Sequence, residues 1–464
     1  MSAKVLSDLA FLTSAFLFII GLKFLSHPAR ARRGNWLAIL GMAFALVATF
    51  IFLWSGGAPE RGMLVIAGIL IGGLLGTIGA RWVAITNMPQ MVALLNGCGG
   101  GAAALISTVE FVGGKSGDAV GFGSATFGAV VGSLAFWGSL VAFGKLQGWM
   151  ERAITSPFQK FLNLLLVLGL TVIIVWIAAG GGHPALYALL AVSMLLGILM
   201  VIPIGGADMP VVISLLNSFT GLAVAATGFS LNQPALIISG TLVGASGTLL
   251  TLMMCRAMNR SLANVLFAGV GAGPVAVPGA GTASGVAKTV REISPEDAAV
   301  LLGNIQSLII IPGYGMAVAQ AQHIVRELAD MLSQRGVEVK YAVHPVAGRM
   351  PGHMNVLLAE ANVPYDQLFD LDQINPDFER ADVALVIGAN DVVNPAARTD
   401  KFSPIYGMPI LDADKAKHII VIKRSLNPGF AGIDNALYYD PKTYMLFGDA
   451  KGAVGKLVEA LKAA

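Results

Sequence analysis

The first 260 residues consist of long apolar runs, whereas the remaining 204 alternate short apolar runs with polar segments. A membrane-spanning helix needs about 20 mostly apolar residues, because each residue rises about 1.5 Å through a hydrocarbon core about 30 Å thick. The first region contains nine such runs. They lie at about 4–25, 36–54, 62–80, 88–109, 119–143, 160–179, 184–203, 209–229 and 234–255. This pattern predicts an all-α membrane bundle of about nine transmembrane helices.

The charged residues divide the chain in the same way. The first 260 residues carry 19 charged side chains, and the last 204 carry 38. A charge at mid-bilayer costs about 2.5 kcal/mol or more, so the first part suits lipid and the second suits water. We therefore expect a transmembrane domain over 1–260, a Gly-, Ala- and Pro-rich linker over 261–290 and a soluble domain over 291–464. The net charge of +3 does not indicate a nucleic-acid partner.

The loops between the predicted spans carry unequal positive charge. Ten cations lie in one set of loops, and three lie at the N-terminus and in the opposite set. The first set is Lys23, Arg30, Arg32, Arg33, Arg81, Lys145, Arg152, Lys160, Arg256 and Arg260, and the second is Lys4, Arg61 and Lys115. Cytoplasmic loops are enriched in Lys and Arg. We expect the N-terminus outside the membrane and the soluble domain in the cytoplasm.

Small residues and two cysteines lie within the predicted spans. Gly72 and Gly76, like Gly128 and Gly132, have the four-residue spacing that lets helix backbones approach closely. Cys98 and Cys255 lie far apart in apolar stretches, where buried free thiols are expected rather than a disulfide or a metal cluster.

A motif is repeated at an offset of 121 residues, with Met, Pro, two leucines and Asn at matching positions. The first copy runs from Met88 to Asn96 and the second from Met209 to Asn217. A buried amide needs hydrogen-bond partners. Asn96 and Asn217 either tie helices together or hold water along a proton path. The second alternative is supported by transporters, in which paired repeats often flank the pathway. Asp208, just before the eighth span, suits either a gate at the membrane surface or a helix N-cap.

The soluble part begins with a strand, a glycine turn, a helix and a second strand. The predicted strand 305–311 leads into Gly313, Gly315 and Val318, the helix continues to about Arg335, and the next strand covers 337–343. In this context a Gly-x-Gly-x-x-Val motif indicates a dinucleotide site. Gly313 would allow a tight turn, Gly315 would let the backbone approach a pyrophosphate, and the helix would offer N–H groups. We predict a Rossmann-like α/β domain with a parallel sheet.

Two strand ends favour NADP over NAD. NAD-binding folds usually place Asp or Glu at the end of the second strand for the ribose 2′-hydroxyl, but this strand ends in Val343 and His344. The predicted strand 419–422 leads instead into Lys423, Arg424 and Ser425, two cations and a hydroxyl suited to a 2′-phosphate. The alternative interpretation is a solvated basic turn.

Further polar segments follow other predicted strands. The strand 383–387 leads into Gly388, Ala389, Asn390 and Asp391, and the strand 445–447 leads into Gly448 and Asp449. Ligands of open α/β sheets bind at such carboxyl ends. Arg349 adds a cation on a loop, whereas His344 and His353 are expected to be structural rather than catalytic.

Four long motifs together resemble the β subunit of the proton-translocating NAD(P) transhydrogenases, and the resemblance covers essentially the whole chain. They cover residues 313–322, 346–355, 388–391 and 423–426. The resemblance implies that the soluble domain binds NADP(H) in an orientation reversed from that of other Rossmann enzymes. It also implies a lid over the cofactor at residues 427–432.

The resemblance assigns cofactor contacts residue by residue. Beside Gly313, Gly315 and Val318, they are Tyr314, Val346, Ala347, Gly348, Arg349, Met350, Pro351, Gly388, Ala389, Asn390, Asp391, Val392, Val393, Gly407, Met408, Lys423, Arg424, Ser425, Leu426, Gly429, Phe430, Asp449 and Ala450. Hydride passes directly between nicotinamides, so no catalytic acid, base, nucleophile or metal is expected.

The same resemblance implies an AB-specific enzyme of the bacterial inner membrane that mainly forms NADPH. NAD(H) would bind to a separate α subunit, in a dimer of αβ units within the bilayer. Two departures matter: Asn96 stands where many members have His, and Phe430 stands where the lid often has Tyr. The titrating group would then come from the α subunit or from water held by Asn96, Asn217 and Ser246, with Asp208 and Asp391 relaying the coupling.

Two other classes of protein remain open from the sequence. One is a transporter or channel whose NADP-binding cytosolic domain senses redox state without transferring hydride. The other is a membrane-anchored dehydrogenase, for which nine spans and a repeated Asn motif are excessive. The lid-like loop favours chemistry over sensing.

Overall fold

The structure is a computed structural model, and it describes residues 3–25, 28–55, 59–113, 119–150, 156, 158–205, 208–267, 289–350 and 352–463. Within these residues, nine helices are long and apolar enough to cross a membrane. They are α1 (Ala3–Leu25), α2 (Pro28–Ser55), α3 (Pro59–Trp82), α4 (Met88–Val112), α5 (Ala119–Leu146), α6 (Gln159–Ala178), α7 (Gly182–Val201), α8 (Met209–Ser230) and α9 (Pro234–Ala257). The chain is a multi-pass membrane protein, and the predicted number of spans is confirmed.

Glycines bring helix backbones together in the membrane part. A Cβ added to Gly132 of α5 would lie 2.6 Å from the carbonyl oxygen of Gly100 in α4. A Cβ on Gly221 of α8 would lie 2.4 Å from the amide nitrogen of Gly244 in α9. The spacing thus predicts close packing correctly for Gly132. No described atom lies within 4 Å of a Cβ added to Gly72 or Gly76, so no close helix packing is seen at that pair in the described chain.

The internal repeat starts two helices in the same way. Met88 and Met209 are the first residues of α4 and α8, and each is followed by proline. Proline suits the first turn because its missing N–H would have no partner there. Cys255 is buried as expected, but Cys98 on α4 is exposed, so the prediction of two buried thiols is wrong for Cys98.

The soluble part contains a parallel sheet with the strand order β3-β2-β1-β4-β5-β6. Its strands are β1 (Ser307–Pro312), β2 (Glu338–Val343), β3 (Leu368–Asp370), β4 (Val383–Ile387), β5 (His418–Lys423) and β6 (Thr443–Phe447). The five residues of β4 are all buried, as expected for a parallel sheet covered on both faces. The order reverses between β1 and β4, which is where ligands of doubly wound sheets bind.

Eight further α-helices lie in the described chain. They are α10 (Leu262–Phe267), α11 (Pro295–Gly303), α12 (Tyr314–Val318), α13 (Gln322–Gln334), α14 (His353–Glu360), α15 (Leu371–Ile374), α16 (Ala396–Thr399) and α17 (Ala450–Ala463). The single helix expected after the glycine turn is two helices, because Gln320 adopts a left-handed conformation with φ of +49°. Only the five-residue α12 follows the turn directly.

The chain forms two compact units. One comprises residues 1–150, 158–203 and 213–250, and the other comprises 151–157, 204–212 and 251–464. The predicted linker 261–290 begins with α10, and its residues 268–288 lie outside the described residues. Lys115, Arg152 and Pro351 from the sequence analysis also lie outside them.

Candidate functional site

The loops that follow β1, β4, β5 and β6 are joined by backbone hydrogen bonds. Gly313 donates its N–H to Ile387 O at 2.9 Å, and Gly388 donates to Ile422 O at 3.1 Å. Gly448 donates to Lys423 O at 3.0 Å. These bonds extend the sheet ladder past the strand ends. They gather the segments that the sequence analysis assigned to the cofactor at one edge of the sheet.

The glycines of the turn serve loop packing. Gly313, which we expected to allow a tight turn, is extended (φ −129°, ψ −177°), so its role does not depend on a left-handed conformation. A Cβ on Gly313 would lie 2.4 Å from Ala389 Cα, and one on Gly315 would lie 2.7 Å from Gly388 Cα. Gly315 also donates its N–H to Gly388 O at 2.9 Å. In this structure the turn is therefore closed against the loop after β4, and the N–H of Gly315 is already used.

The predicted lid, residues 427–432, is bound to Asp391. Ala431 donates its backbone N–H to Asp391 Oδ2 at 3.0 Å, and a Cβ on Gly429 would lie 2.7 Å from Asp391 Oδ1. Burial raises the pKa of the Asp391 carboxyl above its usual value, although the N–H groups of Ala431 and Phe430 and the charge of Lys423 act to lower it. A titratable group therefore lies where the lid meets the sheet.

Asn390 and Lys423 link the same lid to the loop before β6. In the orientation that satisfies its neighbours, the Asn390 amide accepts from Gly429 N at 2.6 Å and from Lys423 Nζ at 3.2 Å, and it donates to Tyr438 Oη at 2.8 Å. Lys423 Nζ also lies 4.9 Å from the centre of the Tyr438 ring and donates to Asn427 O. Burial lowers the pKa of Lys423, while Asp391 and Asp434 oppose this effect.

Aromatic rings connect the glycine turn with the lid and with the loop after β2. The Arg349 guanidinium carbon lies 4.6 Å from the centre of the Tyr314 ring. Phe430 of the lid has its ring 5.8 Å from that of Tyr314. Burial raises the pKa of Tyr314, so its hydroxyl stays neutral at physiological pH. The Tyr314 ring in the glycine turn thus contacts both the Arg349 guanidinium and Phe430 of the lid.

The two histidines near this edge are buried acceptors of backbone N–H groups. His344 Nδ1 accepts from Val346 N at 3.3 Å, so its Nε2 carries the proton and donates to Pro409 O at 2.8 Å. His353 Nδ1 accepts from Arg349 N at 3.0 Å. Burial lowers the pKa of each imidazole to about 4. Their geometry agrees with the structural role that the sequence analysis preferred.

The other predicted contacts divide by exposure. The exposed residues are Arg424, Ser425, Leu426, Val318, Gly407 and Asp449, and the partly buried ones are Val346 and Gly348. The buried residues are Ala347, Met350, Ala389, Val392, Val393, Met408 and Ala450. Lys423 points back to the lid while Arg424 and Ser425 face solvent, so the structure does not group these three residues. Met408 packs in a small apolar cluster with Ala397, Ile405 and Ile410.

Asn96 has a partner that the sequence analysis missed. Its Nδ2 donates to Ser139 Oγ of α5 at 3.0 Å, while its Oδ1 is buried with no hydrogen-bond partner among the described residues. Thr220 of α8 donates to Asn96 O at 3.5 Å. Asn217 is partly buried on α8. Ser246 is exposed on α9, and among the described residues it bonds only its own helix, at Val243 O, so the structure does not bring it to Asn96.

Asp208 is paired with a cation just beyond the end of α9. Arg260 Nη1 donates to both carboxylate oxygens of Asp208, at 2.8 and 2.7 Å. The Asp208 side chain is 15% exposed. Burial raises its pKa, and the Arg260 charge opposes this effect. The carboxylate is thus directed to Arg260, which the N-cap alternative did not anticipate.

The residues that the sequence analysis overlooked are polar partners of residues that it named. Ser139, Asn435 and Tyr438 belong to this group, and Asn435 Nδ2 donates to Asn390 O at 3.0 Å. None lies in a recognisable motif. Their only signal was a polar residue beside a motif or within an otherwise apolar span.

Comparisons with known proteins identify the family to which the sequence is similar. A family model for the NAD(P) transhydrogenase beta subunit matches residues 7–460. Two curated relatives from Rhodospirillum rubrum, each described as NAD(P) transhydrogenase subunit beta, are 50% identical over 465 aligned positions. In both, the match covers 97% of this chain and 98% of the relative.

Proposed function

The chain belongs to the family of NAD(P) transhydrogenase beta subunits, and we propose that it binds NADP(H) at the carboxyl edge of its sheet. There it would exchange hydride with NAD(H) held by a partner α subunit, coupled to proton movement through its membrane helices and mainly forming NADPH. The observation that carries this proposal is the contact between the lid and Asp391, because a titratable side chain there binds the segment that would enclose the cofactor.

The donor set at the sheet edge fits a phosphorylated dinucleotide. The Arg349 guanidinium lies beside the glycine turn, and Arg424 and Ser425 lie exposed after β5. Charge-assisted hydrogen bonds from arginine suit phosphate oxygens. The end of β2 carries buried His344 and no carboxylate for a ribose 2′-hydroxyl. These features support NADP(H) over NAD(H), with Arg424 and Ser425 at the 2′-phosphate and Arg349 at the pyrophosphate.

When bound, the two nicotinamide cofactors would exchange the hydride directly, so the side chains need only bind, orient and exclude water. Asp391 and Asn390 hold the backbone of the lid, and Phe430 extends from the lid to Tyr314. A lid held in this way would shield the reacting groups from water. Asp391 would act as the latch of this lid and would not touch the reacting atoms.

Coupling requires that protonation change the relative affinity for the two redox forms of the cofactor. A carboxylate accepts backbone N–H groups more strongly when ionised, so protonation of Asp391 would loosen the lid. Asp208 is a second carboxylate with a raised pKa, held by Arg260. One proton crossing about 100 mV supplies about 2.3 kcal/mol, and each 1.4 kcal/mol changes an equilibrium about tenfold. That energy suffices to raise the NADPH/NADP⁺ ratio well above the NADH/NAD⁺ ratio.

The membrane part would carry the proton. The buried Oδ1 of Asn96 lacks a partner among the described residues, and a buried acceptor of this kind is a natural site for water. Ser139 and Thr220 supply hydroxyl groups on the neighbouring helices. The distribution of positive loops supports an N-terminus outside the inner membrane and a cytoplasmic soluble domain, and the beta-subunit family supports assembly with α subunits, as a dimer of αβ units.

The proposal is tested by reconstituting the chain with its α subunit in lipid vesicles. NADPH is added outside with an NAD analogue, and absorbance and internal pH are recorded together. We expect reduction of the analogue with simultaneous proton movement, and a changed reaction rate when an uncoupler dissipates the gradient. NADP binding without hydride transfer would instead support a redox-sensing transporter. Hydride transfer that is insensitive to the gradient would support an anchored dehydrogenase.

A further inference from the structure

The imidazole of His353 holds the loop after β2 at Arg349. His353 is 1% exposed, and its Nδ1 accepts the backbone N–H of Arg349 at 3.0 Å. A nitrogen that accepts a hydrogen bond carries no proton, so the ring is neutral with its proton on Nε2. Burial lowers the pKa of His353 to about 4, and the charge of Arg349 acts in the same direction. The ring therefore stays uncharged at neutral pH, and the hydrogen bond from Arg349 N fixes its tautomer.

The loop leaves room for this ring at one position. Gly348 has a φ of +108°, and a Cβ there would lie 2.4 Å from His353 Nδ1. A side chain at residue 348 would thus occupy the space of the imidazole and would be strained by the backbone conformation. Because Gly348 has no side chain, the His353 ring can come close enough to accept the backbone N–H of Arg349.

The contact with His353 fixes the position of Arg349. Its backbone is fixed by His353, and its guanidinium lies on the face of Tyr314 in the glycine turn. The His353 ring itself lies 6.4 Å from that of Tyr314. One imidazole thus supports both residues beside which the dinucleotide phosphates are proposed to bind.

We propose that His353 is a positioning residue that holds Arg349 against Tyr314, so that the guanidinium is presented to the pyrophosphate of the bound dinucleotide. This inference rests on the proposed NADP(H) site. His353 acts through Arg349 and contacts neither the cofactor nor the hydride. Its requirement is specific, since an acceptor must stand at the δ position of the side chain.

The need for an acceptor at the δ position predicts different NADP⁺ affinities for two polar substitutions of His353. In His353→Asn the amide oxygen can take the place of Nδ1, whereas in His353→Gln it reaches the place of Nε2. We expect His353→Asn to bind NADP⁺ within about threefold of the wild type. We expect His353→Gln and His353→Leu to bind about tenfold more weakly, which corresponds to the loss of a typical hydrogen bond. His323→Asn, at an exposed histidine, is the matched control and should be unchanged.

The decisive measurement is a double-mutant cycle on the full chain in detergent, with the Kd for NADP⁺ obtained by calorimetry and folding monitored by thermal unfolding. If His353 acts through Arg349, adding His353→Leu to Arg349→Met should weaken binding no further. Multiplied losses in the double variant, or equal affinities of the Asn and Gln variants, would overturn the inference. A wild type that does not bind NADP⁺ would instead refute the proposed function.

Discussion

Ala431 donates its backbone N–H to the carboxylate of Asp391 at 3.0 Å, so the lid is fastened to the sheet by a group that can lose its charge. Burial raises the pKa of Asp391 overall, although the lid N–H groups of Ala431 and Phe430 act to lower it, so protonation of the carboxyl favours release of these N–H groups. We expect NADP⁺ to dissociate faster as the pH falls through this raised pKa. Asp391→Asn should remove this pH dependence, as measured by stopped-flow release of the cofactor. A wild-type pH profile in the variant would exclude Asp391 as the latch.

The second prediction concerns the contact between the two glycine loops. Gly388 has a φ of +66°, and a Cβ there would lie 2.4 Å from Gly315 Cα. Gly388→Ala should therefore cost about 2 kcal/mol or more, since the left-handed conformation alone costs about 1–2 kcal/mol. Thermal unfolding and NADP⁺ binding would both report the loss. Gly455→Ala in α17 is the control, because no described atom lies within 4 Å of its Cβ and alanine favours helix.

A third prediction addresses the choice of nucleotide. If exposed Arg424 binds the 2′-phosphate, Arg424→Met should weaken NADP⁺ binding by about 10- to 100-fold, because a hydrogen bond to a charged group contributes about 1.5–3 kcal/mol. The Kd for NAD⁺ should stay the same, since NAD⁺ lacks that phosphate. Calorimetric titration with both nucleotides measures the ratio. An equal loss for the two cofactors would place Arg424 elsewhere.

The fourth prediction concerns the membrane amide. Ser139→Ala removes the acceptor of Asn96 Nδ2 and leaves both ends of this amide without a described side-chain partner. We expect slower proton-coupled turnover in reconstituted vesicles, with NADP⁺ affinity unchanged. The matched control is Ser193→Ala, since Ser193 is also buried but, within the described part of the chain, bonds only its own helix at Leu189 O. Equal pumping by both variants would argue that Asn96 only ties α4 to α5.

The sequence predicts the elements of this fold well because two strong physical constraints act on it. Bilayer thickness sets the length of each apolar run, so α4 and α8 begin at the predicted residues. The β1 turn and the strands around it follow from the alternation of apolar runs and glycines. The bundle, the parallel sheet and the family are therefore confirmed, while the roles assigned to individual site residues stay predictions.

The direction in which side chains point was harder to predict. Ser246 and Cys98 lie in apolar spans, and nothing in their local sequence shows that both face outward from the chain. Gly313 was expected to allow a tight turn, but it is extended, and its absent side chain leaves room for the backbone of Ala389. Such assignments depend on residues distant in sequence, so they emerge only when the loops are placed together.

The break at Gln320 separates the glycine turn from the longer helix behind it. Ala319 N and Ala321 N bond back to Gly315 O and Met316 O, so α12 closes on itself before α13 begins. The glycine turn is thus attached to the short helix α12, and Gln320 is the point between α12 and α13 at which the backbone can rotate. If it shifts to admit a ligand, rotation at one residue can absorb the movement, and the hydrophobic face of α13 need not slide across the sheet.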